Sequence, residues 1–116
     1  MCYGLSMEIL HFIELYNIIR IGDLLNLQEQ CRILNIESFN NIIGLVLEVE
    51  QNSLFVTVLN IEYKSDYISQ GDMVLFKKVT FEETGSNSLL VFNKSKKYEL
   101  VPQNWRCKVI LKNIVT

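Results

Sequence analysis

Lysines and aromatic residues are interleaved in the second half of the chain, in a pattern that suits single-stranded nucleic acid. Lysine ammonium groups neutralise phosphates, and aromatic rings stack on unpaired bases. A second interpretation stays open, because lysines also solvate strand faces and keep edge strands from pairing with other chains. The residues that form this pattern are Lys77, Lys78, Phe92, Lys94, Lys96, Lys97 and Tyr98, followed further on by Arg106, Lys108 and Lys112.

Few residues have the types and spacing that catalysis requires. His11 is the only histidine and has apolar neighbours in the sequence, which favours a surface or packing role over a general base. Glu48 and Glu50 would share one strand face, but exposed acids two residues apart are common. The three cysteines include no Cys-x-x-Cys pair, so neither a zinc site nor a disulfide framework is expected. We therefore expect a protein that is not an enzyme and that holds no metal or cofactor.

Composition predicts a folded intracellular protein. The 116 residues are 49% hydrophobic and 21% charged, which argues against disorder and fits one domain over 1–116. Glu14 and Arg20 interrupt the most apolar region, so no membrane span is expected. Residues 1–7 contain no Lys or Arg, which disfavours a secretory signal, and a nuclear or cytoplasmic location is expected. Charge is uneven: residues 1–63 carry a net charge of −6, and residues 64–116 carry +4.

Strand-favouring runs dominate the chain after residue 40. A two-residue polar turn, Gln51-Asn52, predicts an antiparallel hairpin that pairs 42–50 with 53–61. Gly71-Asp72 opens a third long strand, and no internal repeat or linker is visible. Residues 24–34 are compatible with either a short helix or a first strand. The pattern predicts a mainly β fold, a small closed or partly open β-barrel of five to six strands over about 24–112.

Alternation along the hairpin predicts which side chains are buried. One face of the first strand carries Ile43, Leu45, Leu47 and Val49, which we predict to be core. Gly44 within this strand predicts a bulge or a close backbone approach. In the second strand Phe55 lies on the face opposite Leu54, and it is either covered by another element or part of a binding surface.

An apolar helix is predicted before the barrel, over about 7–18. Ser6 could cap this helix, and its apolar positions follow helical spacing. Two roles are open for its apolar face: it plugs one end of the barrel, or it binds a protein partner. The residues of this candidate partner interface are Ile9, Phe12, Ile13 and Tyr16.

Over residues 41–101 the chain resembles OB-fold domains of the single-strand-binding and telomere end-protection type. The resemblance lies in the Gly44-bearing hairpin, the run Gln70-Gly71-Asp72-Met73-Val74-Leu75-Phe76 and the return strand Ser88-Leu89-Leu90-Val91-Phe92. It implies a ligand that crosses the face of the second and third strands. The matching positions in this chain are Phe55, Thr57, Lys77 and Lys78.

A competing resemblance is to the N-terminal split barrel of flagellar-brake proteins that accompany a PilZ domain. It rests on Ile21-Gly22-Asp23-Leu24-Leu25, on 43–59 and on 71–81. The Arg-Arg-x-x-x-Arg ligand motif of that family is missing from the sequence. The first resemblance predicts a complex subunit in nucleic-acid maintenance that binds other protein subunits and, weakly, single-stranded DNA. The second predicts a regulatory barrel that works by protein contacts.

Overall fold

The computed structural model describes residues 6–15, 17–100 and 104–114 of the chain. The described elements are strands with one short helix. In chain order they are β1 (Met7–Glu8), α1 (Ile9–Glu14), β2 (Leu24–Ile33), β3 (Ile36–Glu50), β4 (Ser53–Ile61), β5 (Met73–Thr80), β6 (Asn87–Asn93), β7 (Tyr98–Leu100) and β8 (Trp105–Leu111).

The strands form one curled antiparallel sheet in the order β1-β8-β2-β3-β4-β5-β6-β7. The sheet makes a half-barrel, so the prediction of a mainly β fold with an N-terminal helix is confirmed. The described part of the chain contributes eight strands, more than the five to six predicted, because β1 and β7 are short pieces of two and three residues. The segment after residue 23, which the sequence left open, is the long strand β2.

The concave face of the sheet and α1 enclose one apolar core. At its centre the rings of Phe76 and Trp105 meet edge to face, with centroids 5.2 Å apart and planes at 75°. Ile9, Phe12 and Ile13 of α1 are buried against this core. The helix therefore has the plugging role, the first of the two roles that the sequence allowed.

The helix is shorter than predicted and starts differently. Met7 and Glu8 pair with β8, so Ser6 cannot cap the helix, and its hydroxyl donates instead to Gln28 Oε1 at 3.4 Å. The helix ends at Glu14 rather than near residue 18. The chain then turns so that Ile19, a β-branched residue that is a weaker helix former, is buried in the core.

The predicted hairpin is confirmed, but the predicted core face of its first strand is right only for Val49 and wrong for Ile43, Leu45 and Leu47. Ile42 and Val46 are buried, whereas the four residues of the predicted core face are only partly buried. This strand is apolar on both faces, so alternation alone could not choose between them. A bulge at Leu47, between the pairs Val46–Val56 and Glu48–Phe55, then returns Val49 to the core side.

Gly44 lies at a second irregularity of the same strand pair, as the sequence predicted. The register of β3 on β4 shifts between Ile43 and Gly44. A β-carbon on Gly44 would stand 3.0 Å from Leu27 Cδ1 and 3.4 Å from Val56 Cβ. The position therefore needs glycine because neighbouring side chains pack directly against the backbone.

The turns that lead into β2 and β5 share one sequence pattern, Ile-x-x-Gly-Asp. Gly22 and Gly71 have φ angles of +88° and +90°, which a residue with a β-carbon rarely adopts. In each turn the aspartate accepts a hydrogen bond from the backbone amide three residues before it, at 2.9 Å for Asp23 and 2.8 Å for Asp72. Each glycine amide then donates to the central hairpin. The chain therefore contains a short internal repeat that the sequence analysis missed.

The two aspartates of this repeat are buried and are held by polar groups from distant parts of the chain. Asp23 accepts hydrogen bonds from Lys112 Nζ and from the backbone amide of Asn113, the latter at 2.7 Å. Asp72 accepts one from Asn93 Nδ2 at 2.8 Å, with Lys96 Nζ 3.6 Å away. Buried carboxylates need such partners, and these contacts fix where β2 and β5 enter the sheet.

Among the described helical residues, no helix is long and apolar enough to cross a membrane.

Candidate binding surface

The convex face of β4, β5 and β6 collects five of the eight predicted nucleic-acid-binding residues. Phe55 lies opposite Leu75, and Leu75 lies opposite Phe92, so these three side chains form a row across the strands. Phe55, Leu75 and Phe92 are all half-buried, although they face away from the core. The five predicted residues on this face are Phe55, Thr57, Lys77, Phe92 and Lys94.

An open cavity of about 340 Å³ lies on this face, and we call it the convex groove. Phe55 and Leu75 form its apolar floor, with Ser53 beside them. Two acidic side chains of β3 stand on one side of the floor, and two lysines stand on the other. The charged residues of these two walls are Glu48 and Glu50, and Lys77 and Lys94.

Strand spacing sets the width of the convex groove. Glu50 pairs with Ser53, and Ser53 pairs with Lys77, so Glu50 and Lys77 are two strand spacings apart. Neighbouring strands lie about 4.8 Å apart, which places these two residues about 10 Å apart at the backbone. Lys94 follows β6 and lies one strand further from the acidic wall. Lys94 also stands over the Phe92 ring, with Nζ 5.6 Å from the centroid, so one wall joins a cation to an aromatic face.

The other three predicted lysines lie elsewhere. Lys78 points to the opposite face from Lys77 because successive strand residues alternate, and its Nζ is 3.1 Å from Glu14 Oε1 of α1. Lys96 Nζ donates to Ser69 Oγ at 3.1 Å, beside the Asp72 turn. Lys97 lies in the turn between β6 and β7 with a φ of +57°. The eight predicted residues therefore do not form one patch.

The predicted partner interface on the helix is also corrected. Ile9 is fully buried, and Phe12 and Ile13 are 4% and 2% exposed, so none of them is open to a partner in this fold. Tyr16 lies outside the described residues. The core needs these side chains because the half-barrel would otherwise be open at that end.

No family model, curated protein or solved structure matches this chain.

A second set of surface residues includes Arg106, which belongs to the basic residues noted in the sequence, together with partners that the sequence did not indicate. Arg106 stacks on the Phe39 ring, with its guanidinium carbon 4.5 Å from the centroid. Asn26 Nδ2 and Gln28 Nε2 both donate to Asn41 Oδ1 at 3.0 Å, which forms a ladder of amide side chains across β2 and β3. The alternation of apolar and polar residues in 25–28 was the available signal. This signal did not identify a shared face, because the sequence left residues 24–34 compatible with either a helix or a strand.

Burial alters the titration of three groups. It raises the pKa of the Cys107 thiol, which has no exposed surface. Desolvation raises the pKa of Glu29, and a hydrogen bond with the Asn40 side chain partly opposes this. The pKa of Cys31 is raised by desolvation and then by the charge of Glu29. None of these groups lines the convex groove, and no cluster of metal-ligating side chains occurs among the described residues.

Proposed function

We propose that the chain is a non-enzymatic binding module, a subunit of a nucleic-acid-maintenance complex of the telomere or single-strand DNA type. In this proposal it acts mainly through protein contacts and binds single-stranded nucleic acid weakly in the convex groove. The observation that carries the proposal is the placing of Phe55 and Phe92 on one face with Lys77 and Lys94. Stacking on the rings and phosphate neutralisation by the lysines require this arrangement.

The acidic wall limits the strength of such binding. Glu48 and Glu50 border the same floor as the two lysines, and they repel phosphates that enter from their side. A strand of nucleic acid is therefore expected to follow the lysine side of the convex groove. Affinity in the micromolar range at low salt is the corresponding expectation, on the order of −8 kcal/mol.

Fluorescence anisotropy of labelled single-stranded DNA and RNA, at several salt concentrations, tests this proposal. Each phosphate neutralised on a single strand contributes a slope of about −0.7 to log K against log salt, so two lysines give about −1.4. Lys77→Ala/Lys94→Ala should weaken binding and flatten the slope. Lys78→Ala/Lys96→Ala removes the same charge away from the groove and should leave the slope unchanged. Absence of binding at low salt, or equal effects of the two double variants, would overturn the proposal.

A second candidate function is a regulatory barrel of the flagellar-brake type that works by protein contacts alone. The observation that favours it is the opposed charge of the two groove walls on either side of an apolar floor. Protein partners can satisfy both signs of charge at once, whereas a polyanion satisfies only one. Under this function, binding to the partner would depend little on salt, and single-stranded DNA would not compete.

A further inference from the structure

A two-stranded ribbon projects from the sheet at the end of β2 and the start of β3. In the described chain the last pair of β2 with β8 is Glu29–Trp105, and the last pair of β3 with β4 is Ile42–Ile61. Residues 31–38 pair only with each other, through Cys31–Ser38, Arg32–Glu37 and Ile33–Ile36. We call residues 31–38 the arm. No described strand flanks it, so within the described part of the chain its two edges are not paired in the sheet.

The tip of the arm is apolar and locally unfavourable. Leu34 is 90% exposed and Ile36 is 66% exposed. Leu34 and Asn35 have φ angles of +52° and +64°, as the two-residue turn of a tight hairpin requires. Asparagine accepts this conformation, but for leucine it costs about 1–2 kcal/mol. A leucine that is strained and exposed to water does not stabilise the fold, and this combination favours a role for Leu34 in binding another molecule.

The convex groove matches the arm in charge, and its apolar floor suits the apolar tip of the arm. Arg32 lies on one strand of the arm and Glu37 on the other, and Arg32 Nη2 is 3.9 Å from Glu37 Oε1. Seated in the groove, Arg32 faces the acidic wall, Glu37 faces the lysine wall, and Leu34 covers the floor of Phe55 and Leu75.

We propose that the arm of one chain docks in the convex groove of a second copy of this chain. The contact is heterologous, because each copy presents an arm in one place and a groove in another. Each added copy leaves a free groove at one end and a free arm at the other. Association therefore continues into a ring or an open filament instead of stopping at a dimer.

Sedimentation velocity of the full chain over a range of concentrations, without nucleic acid, tests this docking. The wild-type mass should rise with concentration beyond that of a dimer. Leu34→Asn removes the apolar tip and suits the left-handed turn better, so the variant should fold at least as well. It should weaken self-association by about 10- to 100-fold. Lys77→Glu/Lys94→Glu should weaken self-association to a similar extent from the groove side. Lys64 is exposed and lies outside the groove lining, so Lys64→Glu should leave self-association unchanged.

A mixing experiment then separates this contact from any other. Equal amounts of Leu34→Asn and Lys77→Glu/Lys94→Glu should give a one-to-one complex that does not grow, since each variant keeps one intact half of the contact. Adding Glu37→Lys to Lys77→Glu/Lys94→Glu should restore growth by reversing both charges. A wild type that stays monomeric at about 100 µM, or a Leu34→Asn variant that associates as the wild type does, would overturn the docking. So would a mixture without a one-to-one complex. Leu34→Asn leaves every residue of the convex groove unchanged, so its binding of single-stranded DNA in the anisotropy assay tests the proposed function separately.

Discussion

Gly44→Ala is expected to destabilise the hairpin by crowding the core. The new methyl group would stand 3.0 Å from Leu27 Cδ1, and Leu27 is 1% exposed, so it has no free space to move into. Overpacking of this kind costs about 1–3 kcal/mol. Replacing glycine with alanine also restricts the unfolded chain, and this stabilises the folded state by about 0.4–1 kcal/mol. With middle values of about 2 and about 0.7 kcal/mol for these two effects, the net loss in the free energy of unfolding is about 1.3 kcal/mol.

The single tryptophan provides the assay. Trp105 is 3% exposed and contacts Phe76, so its fluorescence should report loss of the core in a denaturant titration. For a chain of this size 1 kcal/mol corresponds to about 4 °C in Tm, so Gly44→Ala should lower Tm by about 5 °C.

A double-mutant cycle identifies the cause of this loss. Leu27→Val shortens the side chain that Gly44→Ala crowds, so the two changes together should cost less than the sum of their separate effects. Gly85→Ala is the matched control, because Gly85 has a φ of +70° and no atom within 4 Å of its added β-carbon. Its cost arises from the backbone and should add to that of Leu27→Val. Additive effects of Gly44→Ala and Leu27→Val, or an unchanged Tm for Gly44→Ala, would refute the crowding argument.

Three further predictions concern charge and thiol chemistry. Glu48→Gln/Glu50→Gln should strengthen single-stranded DNA binding in the anisotropy assay by removing repulsion from the groove; weaker binding would contradict the proposed path. Burial raises the pKa of Glu29 above its ordinary value of 4.5, so the folded state loses stability as pH rises through the folded pKa. Glu29→Gln should therefore raise Tm at pH 7, with no gain below about pH 4. Cys107, buried and with a raised pKa, should react with a thiol reagent only after denaturation; labelling of the native fold at the rate of a free thiol would contradict its burial.

Local sequence signals were reliable where they depend on the backbone. The polar turn Gln51-Asn52 predicted the central hairpin, and Gly44 predicted the irregularity in its first strand. The helix was predicted too long because apolar spacing continues past Glu14, while the chain turns to bury Ile19. The core face of β3 was predicted wrongly except at Val49 because both faces are apolar, and nothing in the local pattern marks the bulge at Leu47.

The sequence by itself determined a mainly β chain with an N-terminal helix, because turn residues and strand propensity act over a few neighbouring residues. Only the tertiary structure decided which side chains share a surface. Alternation separated Lys77 from Lys78, and strand register placed Glu50 across Ser53 from Lys77 and Glu48 across Phe55 from Leu75. Register depends on contacts between distant segments, here including the two Gly-Asp turns, whose amides bond to the central hairpin. A surface built in this way cannot be read from residues that are close only in the sequence.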